Sequence, residues 1–205
     1  MALIRVNHQA EPPPCVATLT REQCVLQLQS SDVSLRRQAA RELASHPDST
    51  SLLCEHLSNE SNLTVRSIIF SALIAHQSPS VAADLLCMLC SEDANLRGGA
   101  IEALQEMPEQ VAPHIESMLA DPDSDVRIGV VAILAALRHP KVPGWLQAVV
   151  VTDPHVNVCA AAIDALAEVG EPEVIPDLRA LAKRFAEVAF IQFAVDAASR
   201  RILGR

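Results

Sequence analysis

Asp121-Pro-Asp-Ser-Asp-Val-Arg-Ile-Gly-Val-Val-Ala-Ile-Leu134 is the stretch that decides the fold. A polar turn runs into Asp125-Val126-Arg127, and the apolar residues Val126, Val130, Val131 and Leu134 then trace one stripe of an α-helix. The same polar-apolar-Arg element stands at Ser34-Leu35-Arg36, Thr64-Val65-Arg66 and Asn95-Leu96-Arg97. A fifth copy, Asn157-Val158-Cys159, loses the Arg, and the successive intervals are 30, 31, 30 and 32 residues. The stripe travels with the element. Three residues past the Arg position come Ala39, Ile69, Ala100, Val130 and Ala162, and seven past it come Leu43, Leu73, Leu104, Leu134 and Leu166. A weaker sixth copy fits with Ile191 in the Arg place.

Ahead of each element lies a second apolar segment that reads as a helix, over residues 20–29, 49–58, 79–90, 108–119, 140–151 and 172–184. Thr20 with Gln23 makes a capping box, Ser78-Pro79 supplies a cap and a first-turn proline, and Pro108, Pro140 and Pro172 stand at equivalent starts. Each repeat is therefore helix, turn, helix, turn. Six such pairs stacked about 10 Å apart predict a rod roughly 60 Å long.

The repeat resembles the short HEAT repeat of the type named after phycobilisome lyase subunits, in which an Asp-Val-Arg element opens the second helix of each pair. The likeness covers residues 20–203. It implies an all-α, right-handed α-solenoid over residues 19–205. It further implies that Asp125 caps its helix, with Asn95, Thr64 and Ser34 as substitutes, and that Arg36, Arg66, Arg97 and Arg127 link neighbouring repeats in a ladder. Cys159 and Ile191 depart from the pattern, so the ladder is expected to stop after the fourth repeat. Residues 1–18 contain Glu11-Pro-Pro-Pro14 and read as an extended or disordered arm.

Composition agrees with closely packed helices: of 205 residues, half are hydrophobic and only 2 % aromatic, so Ala, Leu, Val and Ile must fill the core. No apolar run is long enough for a membrane span, and the N-terminus lacks the pattern of a secretory signal. With six irregularly spaced cysteines, this predicts reduced thiols in a cytoplasm. The net charge of −9 is uneven: residues 98–178 hold 13 acidic and 3 basic side chains, and residues 179–205 hold 2 acidic and 6 basic. Such a field repels nucleic acid over most of the chain and attracts basic partners.

Motifs that carry chemistry are scarce. Cys87-Met-Leu-Cys90 has the CxxC form but no second pair, and its leucine neighbours favour core packing, with a redox role as the alternative. Cys24 and Cys54 fall at equivalent positions and read as core. The chain has no His-Glu dipeptide, no Gly-x-Ser-x-Gly elbow and no phosphate loop, while Asp121-Pro-Asp123-Ser-Asp125 reads as a turn and cap rather than a calcium loop. Its single Trp145 falls in the outer layer. No catalytic, metal or cofactor-binding residue is predicted.

In stacks of this kind the second helices line the concave side. The positions one, two and five past the element then form a groove floor: Ser67, Gly98, Ile128 and Ala160; Gly99 and Gly129; and Ser71, Glu102, Ala132 and Asp164. Gly98-Gly99 serves either tight self-packing or close approach of a partner's backbone. The expected function is a non-enzymatic adaptor, assembly factor or regulatory subunit that holds a basic or amphipathic segment of another protein there. The alternative, implied by the resemblance alone, is a subunit of a chromophore lyase or a chaperone acting on a cofactor-bearing protein.

Overall fold

The structure is a computed structural model that describes residues 19–204; the expected arm at 1–18 lies outside the described residues. Six helix pairs follow in order: α1 (Arg21–Leu28) with α2 (Val33–Leu43), α3 (Thr50–Asn59) with α4 (Leu63–His76), and α5 (Pro79–Cys87) with α6 (Ala94–Gln105). Then come α7 (Pro108–Val111) and α8 (Ile115–Leu119) with α9 (Ser124–Leu134), α10 (Val142–Thr152) with α11 (Val156–Val169), and α12 (Ile175–Arg184) with α13 (Ala189–Ile202). The chain is an α-solenoid, with α2, α4, α6, α9, α11 and α13 as the inner layer.

Local chemistry sets the ends of these helices. Thr20 and Gln23 form the expected reciprocal box at the start of α1, at 2.9 and 3.3 Å. Ser78 opens α5 without a side-chain cap, its hydroxyl being engaged with Ser80 at 2.8 Å. The fourth outer helix is broken into α7 and α8 by a 3-10 turn, Ala112–His114, because Pro113 has no N–H to donate. Between the layers, Leu43, Leu73, Leu104, Leu134 and Leu166 are all buried, and Leu53, Leu57, Leu85, Ile115, Leu146 and Leu178 meet them from the outer helices. Consecutive inner helices approach one another more closely than consecutive outer helices do, which curves the stack with the inner layer on its concave side.

The turn between outer and inner helix repeats one hydrogen-bond pattern five times. The carbonyl six residues before the Arg position ends the outer helix and would otherwise be unsatisfied. Arg36, Arg97 and Arg127 donate to it, at Ser30, Ser91 and Asp121, over 2.8, 2.5 and 2.9 Å. Arg66 donates to the Glu60 carbonyl, and the Cys159 thiol, lacking a guanidinium, still reaches the Asp153 carbonyl at 3.3 Å. The side chain at that same turn position (Ser30, Glu60, Ser91, Asp121, Asp153) accepts the N–H two residues on.

Three expectations are corrected here. The caps are Asp32, Asn62, Asp93 and Asp123, each two residues before the one expected: their side chains accept the N–H groups of Ser34, Thr64, Asn95 and Asp125 at 2.7 to 3.0 Å. The ladder does not stop cleanly after four rungs. Arg36 forks onto Glu60, Arg66 reaches Asp93 and Arg127 forks onto Asp153, whereas Arg97 makes no ion pair among the described residues. At the fifth turn Arg184, from the end of α12, donates to the carbonyls of Val151 and Asp153 at 2.7 and 2.8 Å and to Cys159 Sγ at 3.2 Å. The next repeat thus supplies the guanidinium that Cys159 lacks. Finally, the sixth copy is shifted by one residue. Gln192, not Ile191, holds the Arg place: it stands four residues past the cap Val188, as each Arg stands four past its cap, and Ile191 is fully buried. The carbonyls that the Gln192 amide meets, Ala182 and Phe185 at 2.7 and 3.1 Å, are not the one six residues back.

Both groups of the Arg127–Asp153 pair are buried, so removing one strands the other. Asp153→Ala and Arg127→Ala are each expected to cost about 3–5 kcal/mol in urea unfolding, and Arg97→Ala distinctly less. A second expectation concerns acid. Burial alone would raise the Glu60 carboxyl, but hydrogen bonds from Arg36, the Asn62 amide and His56 outweigh it and hold the group at about 2. Because the unfolded chain binds this proton near pH 4.5 and the folded one only near 2, the stabilisation is complete above pH 4.5 and lost as pH falls toward 2. Glu60→Gln should flatten the pH dependence of the unfolding midpoint in that window, by comparison with the unaltered chain.

Candidate functional site

A groove of about 580 Å³ opens on the concave side between α4 and α6. Leu63, Arg66, Ser67, Phe70, Ser71 and Ile74 line it from α4, and Ala94, Asn95, Gly98, Gly99, Glu102, Ala103 and Gln105 from α6, with Glu106 at the end of that helix. Ser67, Ser71 and Glu102 are exposed, and Leu63 is an exposed apolar edge. The Arg66 guanidinium faces the Asp93 carboxylate at 2.6 Å, which together with the Leu96 amide holds that carboxyl at about 2. The free charge of the groove is therefore that of Glu102 and Glu106.

The two adjacent glycines have different reasons to be there. A Cβ on Gly99 would lie 2.2 Å from the Phe70 ring, so Gly99 lets α6 close on α4. A Cβ on Gly98 would meet nothing within 4 Å, so the space above it is open groove. The two alternatives for this dipeptide therefore divide between its two residues.

The ten residues expected to form one groove do not all line one hollow. Ser67, Ser71, Gly98, Gly99 and Glu102 line the hollow just described. Ile128, Ala132 and Ala160 are half-buried and Asp164 is exposed, further along the inner layer on α9 and α11. Gly129 is a correction: it is buried, with Leu89 and Ile101 side chains 3.6 to 3.9 Å from where its Cβ would be. The groove closes at α9 because Leu89 and Ile101 fill the space beneath Gly129 and the Gln105 amide bridges to the Ala132 carbonyl at 2.9 Å. Arg36, Arg66, Arg97 and Arg127 stand in the first turns of the inner helices and reach back to the connecting turns, and Asp125 contributes only its N–H there.

A second hollow, of about 570 Å³, opens on the outer layer between α3 and α5, lined among others by Cys54, Asp84, Cys87, Met88 and Cys90. Cys87 and Cys90 are exposed, contrary to the expectation of core thiols, while Cys24 and Cys54 are buried. Residues 88–90 form a 3-10 turn rather than more α-helix, which turns Met88 and Leu89 inward and leaves Cys90 out. Burial, with Asp84 beside it, pushes the Cys54 thiol up to about 12, so it stays protonated. Among the described residues no three His, Cys, Asp or Glu side chains converge as metal ligands would, and no helix is long and apolar enough to cross a membrane. Trp145 is buried in the outer layer, stacked on His139 at 5.0 Å and reaching Glu116 at 3.4 Å.

Comparison with known proteins gives the fold a wider frame. A family described as HEAT repeats matches residues 22–105 and 111–189. Among solved structures, an archaeal HEAT-like repeats protein from Thermococcus onnurineus is 14% identical, over 90% of this chain and 87% of that one, with a TM-score of 0.45. A designed armadillo repeat protein is 19% identical, over 89% and 100%, with a TM-score of 0.37. The complex of CpcE and CpcF of phycocyanin lyase from Nostoc sp. is 17% identical, over 98% and 100%, with a TM-score of 0.34. No curated protein matches the sequence.

Opposite signs are expected for the two glycines. Gly98→Ala should stabilise α6 by about 1 kcal/mol through helix propensity. Gly99→Ala should lose more than that gain, since overpacking against Phe70 costs about 1–3 kcal/mol. Thermal unfolding of the two variants checks both.

Proposed function

Since the chain belongs to the HEAT-repeat family, we propose that it is a non-enzymatic protein-binding scaffold whose groove between α4 and α6 receives a segment of another protein. The observation that carries this is the open space above Gly98: a helix-weakening residue stands where no neighbour in the fold requires it. With no Cβ at that point, the backbone of an extended or helical segment can reach the floor of α6. Exposed Glu102 and Glu106 beside it favour a basic or amphipathic segment over an acidic one.

The acidic middle of the chain supports the same polarity of partner and disfavours a nucleic-acid backbone. The free thiols Cys24, Cys54, Cys87, Cys90 and Cys159 suit a reducing compartment such as the cytoplasm.

The test fills the groove without touching the packing. Gly98→Leu is expected to keep the helical spectrum, to melt no lower than the unaltered chain, and to lose a partner that the unaltered chain retains from native extract. Undiminished retention by Gly98→Leu would remove this groove from consideration.

A further inference from the structure

The shift of the sixth repeat to Gln192 changes what lines the concave side at its far end. One residue past the Arg position, the inner helices present Arg37, Ser67, Gly98, Ile128 and Ala160, and with Gln192 as the sixth reference this row continues to Phe193. Five past it, the row Ser71, Glu102, Ala132 and Asp164 continues to Ala197. The start of α13 sets that register: Val188 caps it four residues before Gln192, as Asp32, Asn62, Asp93 and Asp123 stand four residues before Arg36, Arg66, Arg97 and Arg127. Phe193 is 74% exposed, in a chain with only four Phe and no Tyr, and it belongs to the same row as Gly98.

An exposed aromatic at the end of a row that otherwise holds no aromatic is the type of side chain that anchors a partner. Between the α4–α6 groove and Phe193, the concave side alternates in character. Glu102 is acidic, Ile128 and Ala132 are apolar, Asp164 is acidic again and makes no ion pair among the described residues, and Phe193 with Ala197 is apolar. Glu102 and Asp164 occupy the same row two repeats apart, which is about 20 Å at about 10 Å per repeat. An extended chain covers that distance in about six residues, and one further repeat in about three.

We infer that the partner segment binds extended along the concave side, with two basic side chains about six residues apart, facing Glu102 and Asp164, and an apolar side chain about three residues beyond, seated on Phe193. This rests on the groove reading above and adds to it the length, the charge spacing and the anchor.

The experiment uses a displayed library of random 16-residue peptides selected on the full chain, followed by affinity measurement of a selected peptide by fluorescence anisotropy. The expected consensus has two Lys or Arg about six positions apart and a Leu, Ile, Met or aromatic residue about three positions outside them. Phe193→Ala should weaken the peptide by about tenfold or more, Phe193→Leu by much less, and Asp164→Asn by a smaller, salt-sensitive factor. Since Phe193 is exposed, the helical spectrum should be unchanged. Peptides that are lost with Gly98→Leu but indifferent to Phe193→Ala would overturn this inference and leave the groove standing. Failure to select any peptide would overturn the groove reading and this one with it. A Phe193→Ala variant that changes sedimentation from dimer to monomer, with peptide affinity intact, would assign the aromatic to a second copy and also overturn it.

Discussion

A main-chain carbonyl at the end of each outer helix must find a donor, and the rest of the structure depends on how that need is met. Each of the first five outer helices stops against a tight turn into its inner partner. A long cationic side chain from the first turn of the inner helix reaches back to the carbonyl six residues earlier, fixing the angle between the two helices. The same guanidinium has donors to spare, and in three of four cases it spends them on a carboxylate of the next repeat. One side chain thus sets both the geometry within a repeat and the stagger between repeats. Burial of leucine drives the stack together, but it is indifferent to small rotations. The charged turn selects one of them.

That division explains what was legible in the sequence. Leu43, Leu73, Leu104, Leu134 and Leu166 recur at fixed spacing because each fills the same hole between layers, so periodicity recovers the two layers and the order of the helix pairs. The roles inside the turn were less accessible. Asp125 and Asp123 are both carboxylates beside the helix start, and only the backbone direction tells which one accepts and which one supplies its N–H. Cys87 and Cys90 sit among leucines and look buried, but Cys87 ends α5 on its exposed face and the 3-10 turn over Met88–Cys90 leaves Cys90 out. At the sixth repeat the Arg is gone and the linking turn through Phe185–Val188 is differently built, so a register drawn by apolar matching slipped by one residue. Gln192 reveals itself only by its place four residues past the cap Val188.

The groove shows the same contrast between packing and recognition. Gly98 and Gly99 are identical in sequence terms, consecutive on one helix and both unfavourable to it. One is explained entirely by the ring of Phe70, and the other by nothing within the fold. Sequence spacing could mark the row they belong to, but it could not tell that Gln105, Leu89 and Ile101 would seal the next interval while leaving this one open. The family to which the chain belongs fixes the scaffold and leaves the binding surface free to vary, so the identity of the partner has to be sought in these exposed residues rather than in the repeat itself.

Arg184 deserves a different description from that of a capping group. Arrays of this architecture are commonly treated as strings of interchangeable modules, each stable with its neighbour and each removable at a boundary. Here the fifth module lacks a part and borrows it from the sixth, across 25 residues of chain. The two have ceased to be separate units. A shortened chain that ended after α11 would leave the carbonyls at the end of α10 without their guanidinium, and a transplanted fifth repeat would carry the same defect to its new host. The grammar of the array is thus uneven: each of the first four repeats carries the guanidinium of its own turn, whereas the last two form a single word.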